Sequence, residues 1–403
     1  MAIGAPLDPP GDITLPRPGS TTARTVLSRA IGRLFGDVRD VLRRPHDDAA
    51  VRRDVTALNA ALTAVPDRQA VLGSLLRRPN VGALVRCARL PDADPALTVE
   101  LIATIAIELA AMGALRSELR LERAPAKIVS LAAGVVIHPP PGAGVVCRDG
   151  SVELAGHRVD LRGAIAQAIA QDEGGVVVRR PFHRVTDSIV LALEDNNPLS
   201  MFEAHPDKAG NRIDLGGREP SAWCDALRDA LDRIGRHLPD LRAEHDLFVQ
   251  QFVPVGFDAE SHLSASYREA IGTIYLTLHP QPMTMTEAVV HEFSHNKINA
   301  LFELDEVLHN AYAPLYKSPV RPDPRPLHGV LLAVHAFIPV ARLYEAMREA
   351  DDPLSRNAGF AERFAQIVAK NREGMEVLLA HADPTPVGRA VLDELDRWNR
   401  HFA

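Results

Sequence analysis

The chain has 403 residues, 46% of them hydrophobic and 24% charged, enough to bury a sizeable core and build more than one domain, which excludes disorder throughout. A formal net charge of −7 offers no positive footprint for a phosphate backbone, so nucleic acid is not expected as a partner. Cys87, Cys147 and Cys224 are odd in number and far apart, which fits neither a disulfide scaffold nor a CxxC zinc site and points to a reducing cytoplasm.

In chain order, residues 1–20 carry five prolines and no long apolar stretch, and read as a flexible lead-in. Residues 21–125 form a helical N-terminal region: Val26, Ile31, Leu34 and Phe35 recur at three-to-four spacing, as do Val55, Leu58 and Leu62. Its most apolar window, Leu97 to Leu115, is interrupted by Glu100 and Glu108 and reads as a buried core helix, not a membrane anchor. Residues 126–260 form a mixed β/α region, with short β-rich runs at Ile128 to His138, Val145 to Leu154, Gly175 to Arg179 and Ser188 to Leu193. A helix is expected from Ser221 to Gln251, then a hairpin of His262 to Arg268 with Thr273 to Leu278. Residues 261–403 are the metal-binding region, which can form one unit with 126–260. It holds a helix that starts at a capping Thr284 or Thr286, a proline-rich loop from Pro314 to Pro326, and helices to the end. The expected class is α+β, with a small, mostly antiparallel sheet beside a zincin-like metal helix.

The feature that carries chemistry is His291-Glu292-Phe293-Ser294-His295, an HExxH motif inside that helix. Residues four apart share a helix face, so both imidazoles can converge on one metal ion while Glu292 points near its open position. The third ligand decides the reaction class. Ile298 and Leu301 stand where metzincins have glycine and a third histidine, and after Glu306 the next glutamate is Glu345, which weakens a gluzincin-type zinc peptidase. His328 and His335 lie on nearly one helix face but about 10 Å apart along its axis, so only one of them is expected to complete the site. Arg321 and Arg325 sit in the proline-braced loop, where rigid guanidinium groups suit a carboxylate-bearing ligand.

These residues resemble the HExxH-motif peptide-modification proteins of ribosomal peptide pathways, the 2-oxoglutarate-dependent HExxH-type peptide β-hydroxylases. The resemblance rests on Leu193 to Pro198 (LEDNNP), Ser264 to Leu278, the HEFSHNKINAL run to Leu301, and RPDPRPLHGVLLAVHAF from Arg321 to Phe337. It covers roughly the C-terminal half of the chain. It implies an Fe(II) centre that uses O₂ and 2-oxoglutarate to hydroxylate a β-carbon of a precursor peptide. His291 and His295 would bind iron, Arg321 or Arg325 would pair with the distal carboxylate of 2-oxoglutarate, and Glu292 would handle a proton beside the metal. Some members of the family carry a histidine where this chain has Leu332, which leaves the third ligand open between His328 and His335. Two other readings stand beside this one. A zinc metallopeptidase would use Glu292 as general base, and a non-catalytic peptide-binding protein would add a peptide strand to the hairpin Ser264 to Leu278; for a peptide substrate the strand Thr273 to Leu278 is the expected edge. The oligomeric state is not legible.

Overall fold

A computed structural model describes residues 7–162, 170–173, 175–202, 204–205, 208–319 and 323–403. Five helices open the chain: α1 (Thr22–Arg43), α2 (Ala49–Ala64), α3 (Arg68–Arg77), α4 (Pro79–Ala88) and α5 (Pro95–Ala111). The carboxylates of Asp48 and Asp94 accept from the first-turn amides of Ala50 and Ala96 and so start α2 and α5. Every residue of α5 from Leu101 to Ala110 is buried, and a helix apolar on all sides needs cover on all sides.

Part of that cover is β-structure. Strands β1 (Leu119–Leu121), β2 (Ile128–Ser130), β3 (Val135–His138), β4 (Val145–Arg148), β5 (Ser151–Leu154), β6 (His157–Asp160), β7 (Ala170–Glu173) and β8 (Val176–Arg179) form two antiparallel sheets, ordered β1-β4-β5-β6 and β2-β3-β8-β7. Apolar residues of α1 to α5, of β1 to β5 and of β8 lie in one continuous core. Strands on both sides of residue 126, where the domain boundary is expected, contribute to that core. The first core ends at Val178 and the second resumes at Val185, because the strands after residue 126 close over α5. Glu108, expected only as an interruption of an apolar window, ties this unit together. Its buried carboxylate accepts from Asn80 Nδ2 at 2.9 Å and from the Leu131 amide at 2.7 Å, and pairs with Arg78 at 3.1 Å.

After β8 the chain forms β9 (Phe182–Arg184), β10 (Val190–Ala192), the short pair β11 (Ala204–His205) and β12 (Lys208–Ala209), α6 (Pro220–His237), α7 (Pro239–Phe248), β13 (Gln251–Phe257), β14 (Ser264–Ala265) and β15 (Thr273–Leu278). After these come α8 (Pro282–Phe302), β16 (Leu315–Tyr316), β17 (Arg325–Pro326), α9 (Leu327–Glu349), α10 (Phe360–His381) and α11 (Pro386–His401). The α+β class is as expected. The main sheet, in the order β14-β15-β13-β10-β9, is mixed: β10 with β13 and β13 with β15 run parallel, the outer pairs antiparallel. Parallel neighbours need a crossover, which α6 and α7 supply between β10 and β13.

Three expectations are corrected here. The helix from Ser221 to Gln251 breaks at Pro239, and the strand Gln251–Phe257, with Pro254 inside it, was not foreseen. Thr273–Leu278 is an internal strand between β14 and β13, so it presents no free edge to a peptide. Helix α8 begins at Pro282 without a side-chain cap, and Thr286 instead donates back to the Pro282 carbonyl at 2.8 Å.

Residues 12–15, part of the expected flexible lead-in, are packed. Ile13 and Thr14 are fully buried, the amides of Thr14 and Leu15 donate to the Glu394 carboxylate of α11 at 3.1 and 3.0 Å, and Lys297 of α8 donates to the Thr14 carbonyl at 3.1 Å. The second core also explains α9. It is the one helix among the described residues long and apolar enough to cross a membrane, and 72% of its apolar window is buried inside the protein, against α8 and α10.

Candidate metal centre

Strand β15 alternates, with Ile274, Leu276 and Leu278 in the second core shared with α8, and Tyr275 in a smaller cluster with Val253 and Phe182. The Tyr275 hydroxyl donates to Asp195 at 2.5 Å, so the LEDNNP segment anchors the side of the sheet remote from the metal helix. On α8 the motif residues gather as the spacing requires. The Nε2 atoms of His291 and His295 are 2.9 Å apart and their rings meet edge to face. Donor atoms of His291, Glu292 and His295 all lie within 4.8 Å of one another, and this is the single such group among the described residues.

Both imidazoles are held in the neutral form that binds metal. Burial pushes His291 well below the ordinary imidazole range, helped by the neighbouring His295 and Arg363, and burial pushes His295 down to about 4. Their Nδ1 atoms are buried and take no hydrogen bond among the described residues, so the usual carboxylate or carbonyl support behind a ligating histidine is missing. The ring of Phe337 packs on His291 at 4.6 Å between centroids. Glu292 is buried, and its carboxylate accepts from the Ser264 hydroxyl of β14 at 2.7 Å. Its carbonyl accepts from Ser266 and Asn296, both at 3.1 Å, which ties the motif to the sheet edge.

The other sequence-derived residues fall differently. His328 is outside the His–Glu–His group: its ring packs between Phe302 and Tyr312, at 4.7 and 5.3 Å between centroids, and burial holds it at about 4. His335 is also outside the group, fully buried, and feels the charges of Lys297 and His295. Neither completes the site as the chain stands. Arg325 pairs with Asp323 at 2.9 Å, so a carboxylate ligand there would have to compete with that partner. Arg321 lies outside the described residues.

Sequence reasoning missed Arg363 of α10, whose charge bears on His291 and whose guanidinium grips Glu287 at 2.7 Å, one turn before His291 on the same helix face. It sits in α10 without any local motif, so nothing nearby in the chain announces it. It also missed the serines of the edge strand, although Ser264 opens one of the segments that carry the resemblance. In comparison with known proteins, no family model matches the chain and no curated protein is similar to it.

Proposed function

We propose that the chain is an iron- and 2-oxoglutarate-dependent oxygenase that hydroxylates a β-carbon in a ribosomally made precursor peptide. The observation that carries the reading is the donor set. Two neutral imidazoles converge, and no carboxylate from another element joins them among the described residues. Their Nε2 atoms stand 2.9 Å apart, near enough to share one ion, and two protein imidazoles would leave positions on it for small ligands. The converging Nε2 pair is the feature that fits a metal.

Ferrous iron, when bound, supplies the activation of O₂ by which 2-oxoglutarate becomes succinate and carbon dioxide and one oxygen atom enters the peptide. The protein's own residues do the rest. His291 and His295 hold the ion. Phe337 excludes water from one side of His291. The carboxylate of Glu292, fixed by Ser264, stands ready to take or return a proton at its oxygens. Among the described residues, Arg325 would pair with the distal carboxylate of the co-substrate by giving up Asp323, and Arg363 by giving up Glu287. The three buried, unpaired cysteines accord with a reducing cytoplasm.

One observation favours a second reading, a zinc metallopeptidase. Glu292 is buried and oriented beside the imidazole pair, as a general base for water attack requires. Anaerobic addition of Fe(II) and 2-oxoglutarate separates the two. The oxygenase gives a visible charge-transfer band and, once O₂ is admitted, succinate. A chain that shows neither, yet cleaves peptides with Zn(II) in the absence of O₂, is the peptidase.

A further inference from the structure

Two imidazoles leave a facial set one protein donor short, and neither histidine of α9 comes within 4.8 Å of the group on α8. Another element flanking the motif is the extended segment that leads into β14. Backbone pairing continues through Leu263, whose carbonyl accepts from the Thr277 amide at 2.8 Å, so alternate side chains here share a face. That face is fixed by Ser264, which reaches the Glu292 carboxylate, and by Ser266, which reaches the Glu292 carbonyl. His262 is the preceding member of the same series. Its Nδ1 lies 3.1 Å from Thr277 Oγ1, while its Nε2 is buried and has no hydrogen-bond partner among the described residues. An imidazole that gives its Nδ1 proton to an oxygen presents the lone pair of Nε2, the arrangement of a metal ligand with its supporting partner in place.

We propose that His262 is the third protein ligand of the metal held by His291 and His295, with Thr277 fixing its ring. The ion then bridges the metal helix and the sheet edge, and the third imidazole expected from α9 comes from the strand side. The His262 ring stands outside the 4.8 Å group, so metal binding draws it toward the pair and orders the edge segment. This rests on the reading that α8 holds a metal ion.

Cobalt(II) titrated into the full-length chain tests it, because cobalt absorption reports both affinity and ligand number. The wild type binds one ion. His262→Ala and His262→Gln weaken binding by about 100-fold or more and change the band shape, and Thr277→Val weakens it by about 10-fold. His328→Ala and His335→Ala stay within about 3-fold of wild type. Melting temperatures measured without metal identify variants that merely fail to fold, and for those the companion substitution decides. Wild-type affinity and spectrum in a folded His262 variant overturn the His262 assignment and leave the His291 and His295 site intact. Loss on His328→Ala or His335→Ala, with His262 dispensable, moves the third ligand to α9 and overturns it equally. A wild type that binds no cobalt overturns the metal reading itself.

Discussion

Replacing either imidazole of the helical pair removes one of the two nitrogen donors that α8 places 2.9 Å apart for a single ion. His291→Ala and His295→Ala are each expected to abolish binding of Fe(II), Co(II) and Zn(II), measured by metal content after dialysis; retention by either variant breaks the assignment. Glu292→Gln keeps size and the hydrogen bond from Ser264 but removes the charge. It is expected to retain metal and to retain 2-oxoglutarate turnover to within about 100-fold if its part is proton handling, whereas a peptidase base would lose nearly all activity. Behind the pair, Lys297 is fully buried and bonded to Glu244 at 2.6 Å. Lys297→Met leaves the Glu244 carboxylate buried without its cation, for an expected loss of about 3–5 kcal/mol in denaturant unfolding. A loss under about 1 kcal/mol would show that water or the N-terminal segment compensates.

At the scale of elements, what the sequence disclosed depends on how local the cause was. The HExxH spacing is a property of one helix, and it placed His291, Glu292 and His295 together without any knowledge of the sheet. The β-rich runs Ile128 to His138 and Val145 to Leu154 are likewise local signals, and the Asp149-Gly150 turn separates β4 from β5, but the division of the first run into β2 and β3 was not foreseen. Strand β13 escaped because Pro254 interrupts its pattern, and the edge-strand partner of Glu292 escaped because Ser264 meets α8 only after β14 has paired with β15. The contact of α9 with α10 was equally hidden, since it depends on a glycine in one helix facing a valine in another. A Cβ at Gly374 would lie 2.5 Å from Val334 Cγ2 and 3.3 Å from Pro319 Cγ. Gly374→Ala is therefore expected to cost about 1–3 kcal/mol, and Val334→Ala in the same chain to recover part of that loss. Additive losses in the double variant would mean that the helices separate instead of competing for one space.

Over the whole molecule, buried imidazoles make stability depend on pH, and the sign follows from their direction. Burial pushes His245, stacked near Phe252 and Phe293, below the ordinary imidazole value, and drives His335 lower still. His262, His295 and His328 are held at about 4. A group whose folded value is depressed stays neutral in the native state while the unfolded chain takes up a proton as pH falls through about 6.5. Unfolding then binds protons, so this stability is fully present above about 6.5 and is lost as pH drops toward 4, by at most about 1.4 kcal/mol per group per pH unit. The melting temperature is expected to fall between pH 7.5 and 5.5, and His245→Leu, which removes one titrating group in a site already apolar, to flatten the slope. Metal acts on the same groups in the opposite sense, because it binds their neutral forms. Saturating Co(II) should raise the melting temperature most at pH 7.5 and progressively less toward pH 5.5, as protons compete for the same nitrogens. In His291→Ala the metal-dependent increment should vanish while most of the acid-dependent loss persists, since His245 and His335 still titrate. If the two effects disappeared together, the acid sensitivity would belong to the metal pair alone, and the buried histidines elsewhere would have to be satisfied by partners other than those described.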